Sequence, residues 1–181
     1  MADMQLGVMR PRASSSLLLK GTLAGLLAGI PQVLLSQMEA RLLPISTEQA
    51  DIGPRFVKRV SERTDARLGT VQHWVVAGLF HFGYSAAWGA LYGLLQRWRP
   101  AQPHVGGPLL GALIYTLAFS PWGAATQTDT ERPVESRRTY DTLLHWTAAL
   151  SFSLCLAYLY SAWEPVPDRW RRLAHTIRPG F

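Results

Sequence analysis

The chain has 181 residues, of which 48% are hydrophobic, with a net charge of +6 and a mean hydropathy of only +0.05. The apolar residues are concentrated in four blocks of roughly 20 residues that nearly exclude charge, which indicates a small multi-pass membrane protein. This pattern excludes a large soluble core, and the single cysteine excludes a disulfide scaffold. Because the basic residues flank the apolar blocks, they favour contact with anionic lipids and not with nucleic acid.

The first apolar block covers residues 17–38 and follows a short basic tail. Lys20 interrupts the start of the block and no small-x-small cleavage pattern follows it, so we expect a retained membrane span and not a signal peptide. Gly21, Gly25 and Gly29 are spaced by four residues and therefore lie on one face of the predicted helix. In lipid, such a face allows a second helix to approach closely.

The connection over residues 39–70 has mixed charge and leaves two interpretations open. Phe56, Val57, Val60 and Leu68 alternate with basic and acidic residues, as in a short amphipathic helix that lies in the membrane interface. A solvated loop is the alternative.

The second block, residues 71–95, is rich in aromatic residues. Ser85, Gly89 and Gly93 repeat the spacing of four and predict a second face for close helix packing. The short turn before Pro103 predicts that the second and third spans are antiparallel neighbours.

The third block covers residues 105–125 and carries Gly107 and Gly111, again four apart. The fourth block covers residues 143–163. The tail over residues 164–181 alternates apolar and basic residues, which is typical of a segment that binds the surface of an anionic leaflet.

These blocks predict an all-α fold, with residues 1–181 forming a single domain. We expect an antiparallel bundle of four transmembrane helices with short interfacial amphipathic helices. The Lys and Arg count is the same on both sides of this topology, and the basic tail favours cytoplasmic termini. A bacterial inner membrane is the expected location.

Several polar residues are predicted to meet at one end of the bundle. Glu39 ends the first span, His73 begins the second, and Asp141 and His145 begin the fourth. Asp141 and His145 are four apart, so the carboxylate can orient the imidazole for a proton relay or a divalent metal. The alternative is that these side chains only cap helix ends.

His81 lies eight residues beyond His73, roughly 12 Å deeper along a helix. An ionisable group at that depth faces the bundle interior and is a functional candidate, with a hydrogen bond to a backbone carbonyl as the structural alternative. A haem held by His73 and His145, at matching depth, is a further alternative use of the histidines. We otherwise expect no cofactor.

The layout resembles the YagU-like family of small bacterial inner-membrane proteins. The resemblance includes Glu39 at the end of the first span, the histidine-led aromatic run at 81–92, the Ser-Pro-Trp-Gly sequence at 120–123, and Asp141-x-x-x-His145. It covers the four spans and not the tails. It implies the same topology and an association with acid tolerance, without a defined biochemical activity.

The sequence contains no nucleophile elbow, phosphate-binding loop, dinucleotide fingerprint or zinc-protease helix. We therefore expect a membrane protein that is not an enzyme: an accessory, structural or stress-tolerance component that packs against itself or a larger complex. The alternative function is a proton- or metal-linked transport or relay protein that uses the polar site.

Overall fold

The computed structural model describes residues 14–42, 52–131 and 139–163. Within these ranges the chain forms six helices and no strand, so the all-α prediction is confirmed. The helices are α1 (Ser14–Leu42), α2 (Ile52–Arg63), α3 (Thr70–Trp98), α4 (Pro103–Phe119), α5 (Ala124–Gln127) and α6 (Thr139–Trp163). The predicted basic tail over residues 164–181 lies outside the described residues.

Three segments are long and apolar enough to cross a membrane: Ser16–Leu42, Pro103–Gln127 and Thr139–Trp163. The coarser prediction of a multi-pass arrangement of apolar helices therefore agrees with the structure. Helix α3 has 29 residues, which is ample length for a span, but its histidines, tyrosines and tryptophans lower its hydropathy.

The α1–α3 interface is built from small residues. A Cβ atom added to Gly21 would overlap the carbonyl oxygen of Gly89, and one added to Gly25 would overlap that of Ser85. The same pairs show that the two helices run antiparallel, because the later residue in α1 contacts the earlier residue in α3. Backbone therefore packs directly on backbone, the arrangement that small residues spaced by four permit.

Helix α4 packs in the same manner against α6. A Cβ atom on Gly111 would lie 2.7 Å from Ser153 Oγ, and one on Gly107 would lie 3.0 Å from Leu154 Cδ2. Since α1 also packs on α6, the order across the molecule is α3, α1, α6, α4. The core between these helices consists of apolar and aromatic side chains: Ala24, Ala28, Tyr92, Leu110, Ile114, Ala149, Phe152, Leu156, Ala157 and Tyr160.

The prediction that the second and third spans are packed neighbours is wrong. Helices α3 and α4 have few contacts with each other, and at the turn that joins them Tyr92 and Gln96 lie against Gly106. The small-residue faces decide the pairing, because they bring α3 onto α1 and α4 onto α6.

The third predicted span, 105–125, is not one continuous helix. Helix α4 ends at Phe119, and Ser120 is extended with φ −65° and ψ 169°. Ser120 precedes Pro121, and a residue before proline avoids the helical region because its backbone would meet the proline ring. The chain turns here and continues into the single turn of α5. The other three predicted blocks lie within α1, α3 and α6.

The connection between the first two spans contains a helix, α2, and not only a loop. Its apolar side is anchored on α3, where the Phe56 and Phe80 rings stack with centroids 4.4 Å apart. Val57 is 4% exposed. Helix α2 thus lies at the end of the bundle where α1 ends and α3 begins.

Candidate functional site

Parts of the two long connections of the chain lie together at one end of the bundle and form a cap on it. We define this cap as α2 together with residues 120–131. Arginines 55, 59 and 63 are spaced by four along α2 and share one face. Arg59 Nε donates a hydrogen bond to the Asp129 carbonyl oxygen at 2.9 Å, and Arg63 pairs with the Asp129 carboxylate at 2.7 Å. The arginine face of α2 therefore binds to the connection that contains Asp129.

The innermost of these arginines belongs to a buried ion-pair network. Arg55 donates to Glu131 Oε2 at 2.7 Å, and His145 Nε2 lies 3.0 Å from the same oxygen. The Glu131 side chain is 3% exposed and the Arg55 side chain 21%. A carboxylate this deep needs a paired cation and hydrogen bonds to stay ionised, and Arg55 and His145 supply them. The network joins the two parts of the cap, α2 and residues 120–131, to α6.

The geometry around His145 indicates which ring nitrogen carries a proton. A nitrogen 3.0 Å from a carboxylate oxygen is well placed as a donor, so Nε2–H donates to Glu131. Arg55 Nη2 lies farther from Nε2, at 3.4 Å, and cannot donate to a nitrogen that already carries hydrogen. The ring stacks on Phe119 at 4.1 Å, which fixes its plane. His145 Nδ1 is buried and has no hydrogen-bond partner among the described residues.

Glu39 lies in the same neighbourhood. Thr147 Oγ1 donates to Glu39 Oε1 at 3.2 Å, which joins the end of α1 to α6. The Glu39 carboxylate and His145 interact electrostatically. Like His145 Nδ1, Glu39 Oε2 is buried and has no hydrogen-bond partner in the part of the chain that the structure describes. Two predicted site residues, Glu39 and His145, are therefore brought together, each with one unused polar atom.

His81 lies elsewhere, inside the α1–α3 interface. Its Nε2 is 3.1 Å from the carbonyl oxygen of Gly29, and the residue is 9% exposed. A Cβ atom on Gly29 would lie 3.3 Å from this nitrogen and 2.9 Å from Ser85 Oγ. The missing side chain at Gly29 thus makes room for a hydrogen bond between the two helices.

His73 and Asp141 do not join Glu39 and His145 through direct contacts. The His73 ring meets Trp74 edge-on at the first turn of α3, and its buried Nε2 bonds to none of the described residues. Across the described part of the chain, neither a hydrogen bond nor an ion pair joins Asp141 to His145. Residues 14–42, 52–131 and 139–163 also contain no group of three or more His, Cys, Asp or Glu side chains placed to hold a metal.

The sequence interpretation missed Arg55 and Glu131, which form the centre of the network. A signal for Arg55 exists, because arginines at 55, 59 and 63 mark one basic face on the amphipathic segment. Glu131 stands among several acids in its connection, and no local spacing distinguishes it.

No family model, curated protein or solved structure matches the chain.

Proposed function

We propose that the chain is a multi-pass protein of a bacterial inner membrane, related to the YagU-like family, in which α1, α3, α4 and α6 all cross the bilayer. Two features support a span by α3: its length, and its backbone contact with α1, one of the three apolar helices. The exposed side chains of α3 include Val71, Val75 and Leu79, which lipid would cover. Both termini then lie on one side, which we assign to the cytoplasm.

Within this membrane we propose a non-catalytic role, as an accessory or stress-tolerance component that assembles with itself or with a larger complex. The observation that carries this proposal is the Arg55–Glu131–His145 network. The Arg55–Glu131 ion pair and the hydrogen bond from His145 join three parts of the chain, and such a network holds a bundle in one shape. The predicted contact of residues 164–181 with anionic lipid belongs to the same proposal.

The topology can be tested with a membrane-impermeant thiol reagent. In a Cys155→Ala background, Ala66→Cys and Gln102→Cys place one thiol at each end of α3. We expect labelling of Ala66→Cys from the outside of intact cells and of Gln102→Cys only after permeabilisation. Equal accessibility of both positions from one side would show that α3 does not cross the membrane.

The assembly proposal needs a separate measurement. The full chain, purified in mild detergent after crosslinking in the membrane, should have a native mass above that of one chain. A strictly monomeric chain without a crosslinked partner would contradict the accessory role and leave the topology result unaffected.

A second candidate function is a proton-linked relay, favoured by the unused polar atoms Glu39 Oε2 and His145 Nδ1. A water molecule between a carboxylate and an imidazole can carry a proton from one to the other. Proteoliposomes with a pH-sensitive dye inside should acidify faster with the parent chain than with Glu39→Gln. Glu62→Gln, an exposed carboxylate outside this cluster, is the matched control, and equal rates in all three would rule out the relay.

A further inference from the structure

Two adjoining clefts lie where α2 crosses the beginning of α3. The first has a volume of about 320 Å³ and a mainly polar lining: Lys58, Ser61, Glu62, Leu68, Thr70, His73 and Trp74. The second has a volume of about 160 Å³ and a mainly apolar lining: Phe56, Val57, Val60, Ser61, Thr64, Ala66, Leu68, Val76 and Phe80. Ser61 and Leu68 line both, so the clefts form one continuous amphipathic groove.

The polar cleft favours an anionic group. Lys58 has neither a hydrogen bond nor an ion pair with any other residue in the described ranges, although Glu62 lies four residues further along α2. Glu62, the acid that lines the cleft, is paired instead with Arg59 at 3.2 Å. One positive charge in the cleft is therefore uncompensated by residues 14–42, 52–131 and 139–163.

The beginning of α3 adds to this preference. Gly69 precedes the helix and, without a side chain, cannot cap the N–H groups of its first turn. These groups and the helix dipole favour an anion beside Thr70. His73 stands one turn further along the cleft, and its buried Nε2 has no hydrogen-bond partner among the described residues. In the tautomer that carries hydrogen on Nε2, this nitrogen can donate to an anion.

The apolar cleft indicates that the anion carries a hydrocarbon chain. Val60 and Val76 line it from α2 and α3, and so do the stacked Phe56 and Phe80 rings. A free phosphate ion would leave this cleft empty. An amphipathic ligand would fill both clefts and remove their apolar surface from water.

We infer that this groove binds one glycerophospholipid, with its phosphodiester beside Lys58 and the first part of one acyl chain between α2 and α3. The inference rests on the proposed membrane topology, because α2 must lie at the headgroup level for a lipid to reach the groove. A bound lipid of this kind would hold α2 in its docked position, next to the Arg55 network.

The test uses the full chain in phosphatidylcholine nanodiscs that contain a phosphatidylglycerol with a photoreactive group on its acyl chain. After irradiation, we expect crosslinks in the α2 segment around Val60 and in α3 around Val76. Lys58→Gln should reduce the crosslink yield about tenfold, the effect of one lost charged contact of about 1.4 kcal/mol. Arg67→Gln, which removes the same charge from an exposed position outside the clefts, should leave the yield unchanged.

Ala66→Trp provides a second variant, because the indole fills the apolar cleft without removing a charge. It should abolish the α2 crosslinks while the chain still inserts into nanodiscs. Crosslinks that persist in both Lys58→Gln and Ala66→Trp would overturn the lipid site, as would full displacement of the lipid by inorganic phosphate, which would identify a plain anion site. A chain that fails to insert at all would instead contradict the proposed membrane topology.

Discussion

His145 Nε2 lies 3.0 Å from Glu131 Oε2, and not against Asp141, the acid one turn earlier on its own helix. Spacing on one helix face made Asp141 the expected partner, but the imidazole turns towards the cap and stacks on Phe119. A carboxylate that accepts from Nε2–H favours one neutral tautomer of the ring and orients it. The structure therefore assigns the orientation of His145 to a residue in a distant connection.

Glu131→Gln should change the tautomer balance of His145, because an amide is a weaker acceptor than a carboxylate and no longer carries its charge. The imidazole ¹⁵N chemical shifts of the selectively labelled, full-length chain report the two tautomers directly. Asp141→Asn is the matched control and should leave these shifts unchanged. Shifts that respond to Asp141→Asn and not to Glu131→Gln would reverse this assignment.

The same glutamate should dominate the stability of the cap. Glu131→Gln leaves Arg55, 21% exposed, without its counter-charge and should lower the free energy of unfolding by about 3 kcal/mol. Glu62→Gln removes an exposed partner of Arg59 and should cost less than about 1 kcal/mol. The two variants can be compared by chemical unfolding in mixed micelles, with tryptophan fluorescence as the signal. Equal losses would mean that the buried network does not hold the cap in place.

The helices and their small-residue faces could be predicted because both follow from local spacing. Glycines four apart lie on one side of a helix wherever that helix packs, and Gly21, Gly25 and Gly89 lie where α1 meets α3. The sequence could not predict which small-residue face would pack against which other helix. Connectivity favoured α3 beside α4, whereas backbone-level packing pairs α3 with α1 and α4 with α6.

The centre of the polar site was not predictable for a related reason. Arg55 and Glu131 are 76 residues apart and lie in two connections, so no helical or strand period relates them. Their pairing depends on how α2 docks on α3 through Phe56 and on the turn forced at Pro121. Of the residues that the sequence proposed, Glu39 and His145 meet because each lies near a helix end at the cap, while the depth of His81 places it in the α1–α3 interface.

The close approach of α1 and α3 predicts that alanine substitution has different effects on stability at two glycines of these helices. A Cβ atom on Gly25 would lie 2.9 Å from Gly89 Cα, so Gly25→Ala should force the helices apart and cost about 1–3 kcal/mol. Gly83 has nothing within 4 Å of an added Cβ, and Gly83→Ala should be neutral or stabilise α3 by up to about 1 kcal/mol through helix propensity. Thermal unfolding in detergent separates them, and a lower Tm for Gly83→Ala than for Gly25→Ala would contradict the interface.

The α4–α6 contact allows a test by compensation. A Cβ atom on Gly111 would lie 2.7 Å from Ser153 Oγ but 3.1 Å from Leu150 Cδ2 and 3.3 Å from the Ala149 carbonyl oxygen, so the hydroxyl is the main obstacle. Gly111→Ala alone should lower Tm. Ser153→Ala removes the hydroxyl, which bonds within its own helix to Leu150, and should by itself have a small effect.

The double variant Gly111→Ala/Ser153→Ala should recover most of the Tm lost in Gly111→Ala, because the remaining contacts need shifts of only a few tenths of an ångström. Residues in direct contact typically couple by about 0.5–3 kcal/mol, which at about 2–4 °C per kcal/mol is measurable in a chain of this size. Gly83→Ala/Ser153→Ala is the control, since those sites do not touch and their effects should add. Additive losses in the Gly111 pair as well would show that α4 does not approach α6 through Gly111.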